Sequence, residues 1–180
     1  MKNTIKTTLV AIAALATTST FAQIFSMNGS YGIQGKTVSV DLTYTTKSNF
    51  ILGGGFNINM GKTGVGTDYS EVMGKPYDGE IYEVNKAVTA GGYLIGGYKV
   101  KQLSIMLKGG GVSVDEYLNA YDPSQILDPS GYYYTVGKSS FKPLYGGQVS
   151  YHTGMISPLA GWTNIDGVTL GIVFTLPIRK

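Results

Sequence analysis

The chain has 180 residues, 43% of them hydrophobic and 14% charged, against about 25% charged in an average soluble domain. It carries a formal net charge of +3, no cysteine, 26 glycines and 6 prolines. Disulfides, thiolate metal sites and cysteine nucleophiles are therefore excluded, and without a Gly-X-Y period so is collagen.

Residues 1–22 read as a cleaved signal peptide. Lys2 and Lys6 precede the apolar run Leu9 to Ala16, and Thr20-Phe21-Ala22 is a small-x-small cleavage site. The run is far short of the roughly 20 residues a spanning helix needs. The expected organisation is thus a signal peptide followed by one domain over 23–180. Cleavage takes two of the 14 basic residues, leaving 12 against 11 acidic ones, so nothing electrostatic points to nucleic acid.

Beyond the signal, apolar residues recur with period two rather than 3.6, which predicts strands. Eight of about ten residues are expected, near 24–34, 36–46, 49–60, 86–98, 102–114, 142–152, 155–163 and 167–178. In the second, Val38, Val40, Leu42 and Tyr44 alternate with Ser39, Asp41 and Thr43; Lys47-Ser48-Asn49 then turns the chain into the third, forming a hairpin. The fourth is diluted by Ala90, Gly91, Gly92, Gly96 and Gly97, and the last is the clearest, with Val168, Leu170, Ile172, Phe174, Leu176 and Ile178 on one face. The links also alternate. Those after strands two, four and six are very short, whereas residues 61–85 and 115–141 form long loops holding nine of the 11 acidic residues. Tight turns at one end and long loops at the other are the habit of transmembrane barrels, whose short turns face the periplasm. The predicted fold is all-β, an eight-stranded antiparallel up-and-down transmembrane β-barrel.

Alternation alone also fits a soluble sandwich or barrel with its apolar face inward. The strands, however, are nearly bare of charge except for Asp41 and Lys108, both on the face opposite the apolar one. In a narrow barrel with a side-chain-filled interior they are expected in the lumen as an ion pair. Tyr44, Tyr98, Tyr145, Tyr151 and Trp162 fall near strand ends on the apolar face, as interfacial aromatic girdles require. Gly53, Gly55, Gly110, Gly147, Gly161 and Gly171 are expected inward, making room in a tight interior.

On this pattern the chain resembles the small outer-membrane β-barrel proteins of Gram-negative bacteria, the eight-stranded OmpA/OmpX-like class, over essentially all of residues 24–178. The last strand carries the most specific element: Thr169-x-Gly171-x-x-Phe174-x-Leu176 looks like the signal read by the outer-membrane insertion machinery. The family commonly stops at a terminal aromatic, whereas here Pro177-Ile178-Arg179-Lys180 follows. The resemblance implies an outer-membrane location, contact with outer-membrane lipid and with the insertion machinery, and a structural or surface-interaction role without catalysis or a wide pore. A wall tether of the OmpA type is not expected.

Candidate chemistry is sparse. His152 is the single histidine, with Ser150 and Gln148 on the same strand face. A hydrolase would use Ser150 as nucleophile, His152 as base and a loop carboxylate such as Glu116 as orienter; a hydrogen-bonded lumen or turn histidine is the simpler reading. Gly61-Lys62-Thr63 lacks the first glycine of a phosphate loop, since position 56 is Phe56, and Asp78, Glu80 and Glu83 lack calcium-loop order. No cofactor or metal is therefore expected. Tyr132-Tyr133-Tyr134 either offers aromatic surface to an extracellular ligand on the long loops or continues a strand past the membrane. The competing functions are a secreted lipocalin-like barrel for an apolar ligand and an outer-membrane lipid hydrolase.

Overall fold

A computed structural model describes residues 22–61, 64–69, 80–125 and 128–177. The signal segment lies outside these residues, except for Ala22, as do Asp78 and the end of the chain from Ile178. The described chain forms nine strands: β1 (Ala22–Gly32), β2 (Thr37–Thr46), β3 (Phe50–Asn59), the two-residue β4 (Thr67–Asp68), β5 (Glu80–Val100), β6 (Leu103–Tyr121), β7 (Tyr132–Tyr151), β8 (Ile156–Thr163) and β9 (Gly167–Pro177). No helix occurs among the described residues.

Eight of these strands close a ring in the order β7-β6-β5-β3-β2-β1-β9-β8, and β8 returns to β7. Every neighbour in the ring is antiparallel, and the first and last barrel strands meet at the β1–β9 seam, where Met27 opposes Phe174. Closure leaves the barrel wall no free edge, so its backbone N–H and C=O groups pair internally, which is the condition for β-structure in lipid. Three tight turns lie at one end, at 47–49, 101–102 and 152–155. Asn49 and Lys101 adopt left-handed backbone there, with φ of 65° and 55°, and asparagine tolerates that conformation better than most residues.

The orientation of the side chains is the reverse of a soluble barrel. Along β2, Thr37, Ser39, Asp41, Thr43 and Thr45 are buried, while Val38, Val40, Leu42 and Tyr44 on the other face are only partly so. The outward face carries Met27, Leu52, Ile105, Leu170 and Ile172, and its most open members in the wall are Leu94 at 70% and Leu107 at 69% exposure. Among the described residues no outward position of the barrel wall between the turns and the opposite rim is charged. The interior is mixed: beside the buried hydroxyls, amides and the Asp41 and Lys108 side chains it holds Ile51, Ile95, Met106, Leu144, Leu159 and Val173. An uncharged apolar exterior around an interior that holds the wall's charged and polar side chains, on a sheet without edges, is a transmembrane β-barrel. Ten-residue strands such as β2 and β3, at about 3.3 Å per residue and a tilt near 40°, rise about 25 Å, the height of the apolar band such barrels need.

Three strands run much further than the alternation predicts. β5, β6 and β7 have 21, 19 and 20 residues, so most of 115–141 is not a loop; the link there is residues 122–131. Glu80, Glu83, Asp115 and Glu116 consequently stand in strands and not in loops, and Tyr132-Tyr133-Tyr134 begins β7. Together these strands project beyond the rim opposite the tight turns as a three-stranded sheet, which β4 extends by pairing parallel to Tyr133 and Tyr134. A second correction concerns Gly147. It opposes outward-facing Leu107 and Trp162, and it is Gly146, opposite Lys108 and Thr163, that faces the lumen.

Candidate functional site: the plugged lumen

The ladder register decides which inward residues meet. Asp41 on β2 stands opposite Asn28 of β1 and Gly55 of β3. Tyr93 on β5 stands between two glycines, Gly55 and Gly110, so its ring has space to lie across the wall; a Cβ at Gly55 would fall against the Tyr93 ring and the Asp41 carboxylate. Lys108 on β6 has Gly146 beside it on β7. The structure brings Asp41 and Lys108 together: Lys108 Nζ lies 3.1 Å from Asp41 Oδ2 and 3.3 Å from Oδ1, with both side chains almost fully buried.

A buried carboxylate is tolerated only when its charge is balanced and its lone pairs are occupied. Asp41 meets both conditions. The Tyr93 hydroxyl donates to Oδ1, and Oδ2 accepts from Gln148 Nε2 at 3.1 Å and from Asn28 Nδ2 at 3.5 Å. Lys108 Nζ also lies 4.6 Å from the centre of the Tyr93 ring. Side chains from β1, β2, β5, β6 and β7 thus meet around one carboxylate inside the lumen. The arrangement fixes charge in place; none of its groups is an exposed nucleophile. The sequence pattern does not single out Tyr93, Asn28 or Gln148 as partners of Asp41. Their signal was parity with Asp41 and the flanking inward glycines.

Nearer the tight turns, His152 Nε2 lies 2.7 Å from Ser104 Oγ and 3.4 Å from Ser150 Oγ. The backbone N–H of His152 donates to Gln102 O at 2.7 Å, which holds the β7–β8 turn against its neighbour. Partial burial, then the charge of Lys99, holds the imidazole pKa below its ordinary value. Its Nδ1 has no hydrogen-bond partner among the described residues, whereas a triad histidine is oriented there by a carboxylate. Glu116 is not that group. It is twelve residues along β6 from Ser104, about 40 Å at 3.3 Å per residue, and pairs with Lys86 at 3.3 Å. At the opposite rim buried Asp166 accepts from Thr37 Oγ1 at 2.6 Å and Thr163 Oγ1 at 2.9 Å, securing the β8–β9 turn.

The five aromatic positions separate into two levels on the outer face. Tyr44, Tyr98 and Tyr151 lie near the tight turns, where Tyr98 packs edge-on against Phe50 at 5.2 Å. Tyr145 and Trp162 lie near the other rim with ring centres 6.4 Å apart. In β9, Thr169 and Gly171 face inward while Phe174 and Leu176 face outward. Of the nine acids expected in the two long loops, Glu80, Glu83, Asp115 and Glu116 stand in β5 and β6, and no cluster of metal-ligating side chains occurs among the described residues.

No protein-family model matches the chain, and no curated protein matches it. Among solved structures it is similar to a chain from "De novo design of transmembrane beta-barrels", with 16% identity over 86% of this chain and 95% of that one and a TM-score of 0.39.

Proposed function

We propose that this protein is a small outer-membrane β-barrel of a Gram-negative bacterium, of the OmpA/OmpX-like kind, exported by the signal at 1–22 and serving a structural and surface-interaction role without catalysis. The observation that carries this reading is the burial of Thr37, Ser39, Asp41, Thr43 and Thr45 on the face opposite Val38, Val40 and Leu42, because only a lipid exterior makes that orientation favourable. A carrier of apolar ligands would need an open apolar interior; here the mid-lumen is occupied by an ion pair and its donors. The outer-membrane lipid then contacts the apolar belt and its two aromatic levels, and the insertion machinery reads Thr169, Gly171, Phe174 and Leu176. The projecting β5–β6–β7 sheet, within the spans 61–85 and 115–141, is the surface for an extracellular partner.

Expression of the full chain in a Gram-negative host tests this. The mature protein is expected in the outer-membrane fraction, beginning at Gln23, with a gel mobility that changes on boiling and no stable conductance in planar bilayers. Recovery as a soluble periplasmic or secreted protein would overturn the membrane reading and favour the carrier.

A further inference from the structure

Between the ion pair and the tight turns the lumen holds a small chamber of about 10 Å³. Ser26, Thr43, Thr45, Ser104 and Ser150 line it together with the apolar Ile51, Met106 and Val173, and His152 sits at its turn-side mouth. Asn28, only 1% exposed, also lines it. The amide orientation of Asn28 is dictated by its neighbour: ionised Asp41 only accepts, so Asn28 presents Nδ2 to it. That leaves Oδ1 as the amide's acceptor, and it has no hydrogen-bond partner among the described residues.

The chemistry of the lining selects the occupant. The volume is that of a single water-sized probe, and a buried water needs two to four polar partners. An added cation would sit near Lys108 and an added anion near Asp41, while a neutral molecule that both donates and accepts suits hydroxyls, an amide oxygen and an imidazole together. We propose that the chamber holds one resident water that donates to Asn28 Oδ1 and is bound by the Ser104 and Ser150 hydroxyls. This water completes a hydrogen-bonded path from His152 at the mouth, through Ser104 and Asn28, to the buried Asp41–Lys108 pair.

A crystal structure of the full mature barrel, at a resolution that orders lumen waters, tests the site directly. The expected result is one water within hydrogen-bonding distance of both Asn28 Oδ1 and Ser104 or Ser150 Oγ; a dry chamber, or one filled by a side chain, overturns the proposal. Ser26→Val adds volume to the chamber wall and is expected to expel the water and shift the His152 imidazole ¹⁵N resonances. Ser26→Ala is expected to retain the water. A water that persists in Ser26→Val, or ¹⁵N resonances unmoved when it leaves, sinks the site or the path respectively. If Ser26→Val does not fold, the wild-type and Ser26→Ala structures decide.

Discussion

Lys108→Met removes one charge from the lumen and leaves Asp41 with hydrogen bonds but no counter-charge. Breaking a buried pair in this way costs about 3–5 kcal/mol, whereas replacing both partners by neutral groups is often far less costly. Lys108→Met and Asp41→Asn are therefore each expected to destabilise strongly, and the double variant by less than the sum, which is the signature of direct coupling. Urea unfolding from lipid vesicles reads this through Trp162, the single tryptophan, which lies half-exposed near the outer rim. His152 supplies a pH-dependent term of opposite origin. Burial first, then Lys99, lowers its pKa from 6.5, so an unfolded chain takes up the proton at a higher pH than the folded one. The stabilisation is full above 6.5, declines as pH falls from there to the folded value, and is constant below it. The imidazole NMR titration is expected to have its midpoint below 6.5, and His152→Ala should flatten the stability profile in that window.

At the level of the strand, two glycines in adjoining elements separate the two faces of the wall. Gly55→Val places side-chain atoms where the Tyr93 ring and the Asp41 carboxylate meet, while Gly96 faces open space. Gly96→Val is expected to fold, with a heat-modifiable gel mobility like the parent's, and Gly55→Val to remain unfolded or to lose most of the barrel's stability. The same contrast explains what the sequence makes legible. Inside the apolar belt the lipid-facing side must be greasy and free of charge, so β2, β3 and β9 are readable to within a few residues, and so is the inward parity of Asp41 and Lys108. Beyond the belt that requirement ends. Glu80, Glu83, Lys86, Asp115 and Glu116 can occupy a strand in water, and register shifts between Ile81 and Glu83, Val88 and Ala90, and Asp115 and Tyr117 break the period further. The outer halves of β5, β6 and β7 therefore look like loops in the sequence. Partner identity is hidden for a different reason: that Tyr93, Gln148 and Asn28 converge on Asp41 depends on cross-strand register, which turns and bulges set over the whole ring.

On the scale of the whole molecule, the lengths of the strands divide the protein into two environments. A strand of 21 residues such as β5, at the tilt used above, rises about 50 Å, roughly twice the apolar band a membrane barrel presents. The lower half of β5 and β6 lies in the closed wall, whereas the upper half of β5 has no neighbour beyond Ala90 on the β3 side. Leu107 and Val84 probe the two halves. Both are exposed aliphatic side chains, at 69% and 49%, and Leu107 is the middle of the outward series Leu103, Ile105, Leu107, Gly109 and Gly111 on β6. In water an arginine at either site would be nearly neutral, within about 0.5 kcal/mol for a surface position. In lipid an arginine near the midplane of a barrel wall costs about 2–4 kcal/mol. Leu107→Arg is thus expected to lower the unfolding free energy in vesicles by that amount and Val84→Arg to leave it almost unchanged. Equal effects at the two positions would mean that the greasy band meets the same solvent as the projecting sheet, and no membrane boundary would then lie between them.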